Sequence, residues 1–280
     1  MKTFYKRALT AIFFVLIMLG AILWNSISFY LLFLVVALLG LFEYFKLIKK
    51  IHPKYKEASI AQQIIAGLLI PAGFLIASGT HFLFLGQSAL FFGMQLLGFL
   101  LMLLLVVSVF SGETSSAIKN LGYSLWGVAY LGIPFSLMIA LYWYSAENGF
   151  PLIPLSILVA LWINDTMAYV TGAVIGKRPF APRISPKKTW EGTAGGVLFT
   201  LVAAGVFSLY NHQFPMGIWI AIGGVVAIFG TIGDLLESVL KRKAGVKDSG
   251  NLLPGHGGIL DRFDSMILAI PFVWILVQVL

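Results

Sequence analysis

The chain has 280 residues, of which 59% are hydrophobic and 11% charged, with 23 phenylalanines and a formal charge of +8. Soluble domains average about a quarter charged residues, so this composition excludes a soluble globular protein. The absence of cysteine excludes disulfides, thiolate metal ligands and a cysteine nucleophile.

A helix crossing a hydrocarbon core of about 30 Å needs about 17 to 25 mostly apolar residues. Such segments begin near Ala8, Ile27, Ile60, Phe82, Leu121, Leu152, Gly192, Met216 and Ser265. They predict an all-α, polytopic integral membrane protein with about nine transmembrane helices. The first segment follows MKTFYKR, but no small-x-small cleavage site follows it and a second span comes at once, so it reads as a helix and not a signal peptide. Residues 1–120 read as N-terminal transmembrane helices with a basic cytoplasmic loop at 43–57. Residues 121–280 read as a catalytic transmembrane region with cytoplasmic loops at 176–192 and 241–264.

With the N-terminus in the cytoplasm, all 19 lysines and arginines fall on the inner side, while the loops around Asn25, Gly79, Glu147 and Asn211 carry none. This is the positive-inside pattern, and it places the C-terminus on the opposite face of the cell's inner (cytoplasmic) membrane. It also assigns the positive charge to topology and membrane lipids, so no nucleic acid is expected. LFEYFKLIKKIHPKYKE mixes aromatics with lysines, as interfacial segments on anionic lipid do; a solvated topogenic loop is an equal reading. Pro71, Pro134 and Pro271 are commonplace in membrane spans and receive no function.

The acids carry more information. An aspartate near a helix centre costs about 2.5 to 3.5 kcal/mol on insertion scales, so it needs a partner or a purpose. Asp165 lies within LVALWINDTMAYVTGAVIG, on one helical face with Tyr169, Gly172 and Gly176; small residues at that spacing admit a neighbouring helix. In AIFGTIGDLLESVLKRK, Asp234, Glu237 and Lys241 share a face; an internal Glu–Lys pair accounts for the last two and leaves Asp234 unexplained. Asp261 and Asp264 stand one turn apart at the start of the ninth span, where their side chains can reach one locus. Helix capping would use only one of them. Two carboxylates about 4 Å apart repel by about 4 kcal/mol at an effective dielectric of 20, and a cation removes that penalty. Oxygen ligands alone favour Mg²⁺ held by carboxylates and substrate phosphates, with Asp165, Asp234, Glu237, Asp261 and Asp264 as candidate ligands.

Between the last two spans, PGHGG places Gly255, Gly257 and Gly258 around His256, and glycine backbones can form an anion-binding nest. Alone this signal is weak. Lys241, Arg242, Lys247 and Arg262 bracket it, and such cations clamp phosphates. In RPFAPRISPKKTWEGTAGG, Ser185, Lys187, Lys188 and Thr189 feed a glycine-rich helix start, a second place where anions bind. The combination fits a metal-bound polyphosphate meeting a lipid at the membrane surface.

SVLKRKAGVKDSGNLLPGHGGILDRFD, from Ser238 to Asp264, resembles the C-terminal signature of the phosphatidate cytidylyltransferases, also called CDP-diacylglycerol synthases. NDTMAYVTGAVIGK and SPKKTWEG resemble the upstream motifs of that family, so the likeness covers about the last 120 residues. It implies that CTP and phosphatidic acid give CDP-diacylglycerol and pyrophosphate, with Mg²⁺ and often K⁺, in a homodimer whose cavity opens sideways to lipid. It implies metal roles for Asp234, Asp261 and Asp264, with Asp165 and Glu237 as further contributors. Phosphate clamps would come from Lys187, Lys188, Lys241, Arg242, Lys247 and Arg262, and His256 would contact pyrophosphate. A transporter using intramembrane acids, a CTP-dependent lipid kinase and a CDP-alcohol phosphotransferase are the competing readings. The Asp-Gly then Ala-Arg motif expected of the last is not found here.

Overall fold

The computed structural model describes residues 2–53, 55, 58–79, 81, 83–84, 87–110, 114–147, 149–252 and 257–279. Its helices are α1 (Lys2–Trp24), α2 (Ser26–Ile51), α3 (Ile60–Ala77), α4 (Ala89–Phe110), α5 (Thr114–Glu147), α6 (Leu152–Ile175), α7 (Trp190–Tyr210), α8 (Met216–Lys243) and α9 (Leu260–Val279). Eight of these, α2 to α9, contain stretches long and apolar enough to cross a membrane, and the Thr10–Trp24 part of α1 is a shorter apolar helix. Two small antiparallel hairpins complete the described structure, β1 (Leu83–Phe84) with β2 (Gln87–Ser88) and β3 (Pro179–Ala181) with β4 (Ser185–Thr189).

Helix boundaries differ from the sequence expectation in three places. α2 continues to Ile51, so Lys46, Lys49 and Lys50 stand on a helix and not in a loop. α5 begins at Thr114, so Lys119 is an exposed helical residue. α4 begins at Ala89 because β1 and β2 occupy the residues before it. Hydropathy marks the apolar part of a helix, whereas the backbone hydrogen-bond ladder runs on into the polar ends.

The chain forms two compact units, one of residues 1–143 with 243–262, the other of 144–242 with 263–280. In the first, Asn25 caps α2: its side chain accepts from Ser28 N at 2.8 Å, and Ser28 Oγ accepts from Asn25 N at 3.2 Å. This capping box closes the short turn from α1. Ser59 caps α3 with a single bond, its Oγ accepting from Gln62 N at 3.1 Å. Ser124 of α5 then gathers buried partners, with Tyr55 OH at 2.9 Å from its Oγ and Gln62 Nε2 donating to it at 3.1 Å. Gly127 leaves the room that Tyr44 fills, since a Cβ there would sit 2.5 Å from its ring.

In the second unit α6 and α7 lie against each other along a glycine seam. A Cβ on Gly192 would meet Ala168 O at 2.7 Å, and one on Gly196 would meet Asn164 O at 2.8 Å. Gly195 occupies space that any side chain would contest with Thr171. The β3–β4 hairpin joins the two helices. Glu191 fastens it to the start of α7, accepting on Oε2 from Lys177 N at 3.0 Å and Arg178 N at 3.1 Å.

Candidate active site

Two groups of charged residues emerge, one in each unit. In the second unit the hairpin brings β4 against α6 and α7, and Thr189 caps α7 by accepting from Gly192 N at 3.1 Å. The result is a pocket of about 340 Å³ lined by Asp165 and Tyr169 of α6, Lys187 and Lys188 of β4, Thr193 of α7 and Asp234 of α8, among others. Asp165 is exposed, whereas the adjacent Asn164 is buried and donates from Nδ2 to Thr231 Oγ1 at 3.4 Å.

Lys188 Nζ lies 2.5 Å from Asp234 Oδ2, and the other oxygen of that carboxylate accepts from Ser238 Oγ at 3.3 Å. One turn further along α8, the fully buried Glu237 pairs with Lys241. The remaining acid is Asp264 on α9, half-buried, with Asp234, Glu237 and Asp165 as its charged neighbours. Carboxylates from α6, α8 and α9 therefore share one electrostatic environment. Like charges at such sites repel by several kcal/mol unless cations intervene, and Lys188 and Lys241 meet part of that need. Ser185 is half-buried on β4, and Arg242 is exposed with its Nε donating to Ile184 O at 3.4 Å.

In the first unit, Asp261 organises the signature segment. Its Oδ2 accepts from Gly258 N at 2.7 Å, from Ser249 N at 2.8 Å and from Ser249 Oγ at 2.9 Å. Gly257 has φ +85°, in the left-handed region that favours glycine, and a Cβ there would lie 2.6 Å from the same oxygen. Asp261 thus serves the backbone of its own loop, while Asp264, one turn along the same helix, stands among the acids of α6 and α8. Lys247 and Arg262 are exposed. His256 lies outside the described residues.

Glu43 of α2 is a site residue that the sequence reading did not select. It is 1% exposed, and its Oε2 accepts from Leu260 N at 3.0 Å and shares the single Ser249 Oγ proton with Asp261 Oδ2, each carboxylate oxygen lying 2.9 Å from that hydroxyl. Gly250 and Gly258 both face its carboxylate where a side chain would collide. One signal was present: an acid eight residues before the end of the largely apolar α2 carries the insertion cost used to select Asp165.

Among the described residues no three histidine, aspartate or glutamate side chains converge closely enough to chelate an ion by themselves. The oxygen donors of Asp165, Asp234, Glu237 and Asp264 suit a magnesium ion that takes one or two carboxylates and fills its shell from phosphates and water. Zinc and copper, which favour histidine or cysteine, fit this donor set poorly.

Known proteins place this arrangement. The Cytidylyltransferase family profile matches residues 5–280. The chain is 34% identical to a phosphatidate cytidylyltransferase of Bacillus subtilis over 272 residues, covering 97% of this chain and 96% of the relative. It is 43% identical over 156 residues to a phosphatidate cytidylyltransferase of Staphylococcus aureus, 55% of this chain and 58% of the relative. For the Staphylococcus epidermidis phosphatidate cytidylyltransferase the figures are 39% over 186 residues, 65% and 69%. A multi-pass membrane protein with carboxylates and lysines gathered in one pocket, and a family match along almost its whole length, this chain belongs to the cytidylyltransferase family.

Proposed function

We propose that the protein is a phosphatidate cytidylyltransferase, joining CTP and phosphatidic acid to give CDP-diacylglycerol and pyrophosphate at the cytoplasmic face of the cell's inner membrane. The observation that carries this reading is the pocket of α6, β4, α7 and α8, where Asp165 and Asp234, on helices long and apolar enough to cross a membrane, meet Lys187 and Lys188 of β4. The phosphate of phosphatidic acid attacks the α-phosphorus of CTP in line; the new P–O bond forms as the bond to pyrophosphate breaks. A phosphate monoester is already an anionic nucleophile, so positioning and charge neutralisation remain the protein's tasks.

Lys187 and Lys188 hold phosphate oxygens, with Lys188 kept in place by Asp234. Lys241, held by Glu237, and Arg242 extend the cationic lining along α8. Lys247, His256 and Arg262 contact nucleotide phosphates from the signature segment, where Asp261 accepts the backbone amides of Ser249 and Gly258 and Glu43 that of Leu260. Asp234 and Asp264, with Asp165 and Glu237 nearby, would hold magnesium, which would supply charge neutralisation for the polyphosphate. A potassium ion and a homodimer belong to the same reading; exchanging potassium for sodium and cross-linking in native membranes test them. The cytoplasmic N-terminus and the opposite placement of the C-terminus follow from the basic residues and are tested by protease access in sealed vesicles.

Purified protein given CTP labelled at the α-phosphate, phosphatidic acid and Mg²⁺ should transfer label into lipid with release of pyrophosphate. Release of CDP with the γ-phosphate in lipid would instead make it a lipid kinase.

A further inference from the structure

A second cavity in the same unit has no part in the chemistry above. It measures about 110 Å³ and is lined by Val159 and Ile163 of α6, Ala203 and Phe207 of α7, and Trp219 and Gly223 of α8, among others. Its origin lies in the sequence. Small residues let α7 and α8 approach closely, since a Cβ on Gly223 would stand 2.9 Å from that of Ala204. One turn earlier on α8 comes the indole of Trp219, packed edge-on against Phe207 at 4.9 Å and Phe214 at 5.5 Å. A tight contact beside a bulky ring leaves a gap that Ala203 is too small to fill.

The wall of this cavity holds an unused donor. Trp219 is 1% exposed, and its Nε1–H meets no acceptor among the described residues. Buried indole N–H groups usually find a partner, and one without a partner lowers stability. The two hydroxyls on the wall are in the opposite state: Ser156 Oγ donates to Ile153 O and Thr200 Oγ1 to Gly196 O, both at 2.8 Å, so each has only lone pairs to offer. No lining residue is ionisable, which excludes a charged ligand. An apolar wall with one or two placed polar groups is the make-up of a small-molecule site.

We propose that this cavity binds a neutral amphipathic molecule, an alcohol in class, whose oxygen accepts from Trp219 Nε1–H while its apolar body fills the space against Val159, Ile163 and Ala203. The size follows from the volume: an apolar protein cavity of about 150 Å³ takes up benzene, so this one has room for about six non-hydrogen atoms at most. Water fits less well. At about 30 Å³ each, about three waters would enter, and each forms about three hydrogen bonds, against one free donor and two hydroxyl oxygens on the wall. Val159 is 38% exposed, so a molecule dissolved in the bilayer reaches the site from the lipid side. The proposal does not depend on the phosphatidate reading.

The test uses fluorine NMR on the full-length protein in detergent, with empty micelles as the reference and two probes of equal size, 4-fluorobutan-1-ol and 1-fluoropentane. Wild-type protein should give a saturable bound signal with the alcohol that butan-1-ol displaces. Ala203→Leu, which fills the cavity, should abolish it, and Ala160→Leu fills the same space from α6 should the first variant fail to insert. Trp219→Phe removes the donor, and its preference for the alcohol over the fluoroalkane should fall at least fivefold from that of wild type. No saturable signal in wild-type protein, the outcome if water alone enters, overturns the proposal whether or not any variant folds. Binding that persists in the filled variants, or an unchanged preference in Trp219→Phe, overturns it equally.

Discussion

Replacing Glu43 by alanine leaves the Leu260 N–H without its acceptor, whereas Ser249 Oγ–H keeps Asp261 Oδ2 at 2.9 Å. A buried donor left unsatisfied costs about 1 to 3 kcal/mol, so the conformation that buries the Leu260 amide should lose about 2 kcal/mol. At 1.36 kcal/mol per factor of ten, the opened population rises about thirtyfold. Glutamine is the informative comparison. Its amide oxygen can take the place of Oε2 and keep both bonds, and its amide nitrogen falls where Oε1 has no partner among the described residues. Only the charge contribution is then lost, about 1 kcal/mol per bond at most. Hydrogen exchange at the Leu260 amide, measured beside CTP-dependent turnover, should show Glu43→Ala exchanging about thirtyfold faster with turnover falling in step, and Glu43→Gln lying between it and the parent. Unchanged exchange and turnover in Glu43→Ala would refute the claim that this acid holds the signature segment.

Asp264→Asn should cut turnover at least a hundredfold while the thermal midpoint in detergent stays level or rises, because a repelling carboxylate leaves the group formed with Asp234, Glu237 and Asp165. Lys188→Met should raise the KM for CTP at least tenfold yet cost under about 1 kcal/mol of stability, since its pair with Asp234 is about a quarter exposed and screened. Gly195→Val places a branched side chain where Thr171 stands, and overpacking of this kind costs about 1 to 3 kcal/mol; a lowered midpoint, with loss of turnover, is expected. Lys119→Ala, on the exposed face of α5, should leave turnover within twofold of the parent, as a steady-state assay would show.

The transmembrane helices were legible because length and apolarity are all that a span requires, and Asp165 and Asp234 stood out because the bilayer makes an acid expensive. The two hairpins were not. RPFAPRISPKKT shows no period-two alternation; its pairing depends on Glu191 receiving two backbone amides and on Trp190 N donating to Arg178 O at 2.9 Å. Such contacts are properties of the folded turn and leave no pattern in the strands. Likewise TSSAIKN at the start of α5 is polar enough to end a hydropathy window, yet nothing in it breaks a helix.

Glu43 was hidden for a different reason: its partner Ser249 is 206 positions away. Yet the two ends of that contact leave complementary marks. Gly250 and Gly258 lack side chains where the Glu43 carboxylate stands, and Gly257 lacks one beside Asp261. The glycines of KDSGNLLPGHGG therefore do more than relax the backbone toward an anion-binding turn. At these three positions they vacate volume that a carboxylate fills, and the carboxylates in turn accept the amides of Ser249, Gly258 and Leu260. A glycine-rich segment adjoining a membrane span accordingly implies buried acids as much as a bound anion, and the acid to seek is the one placed where the bilayer alone would not tolerate it.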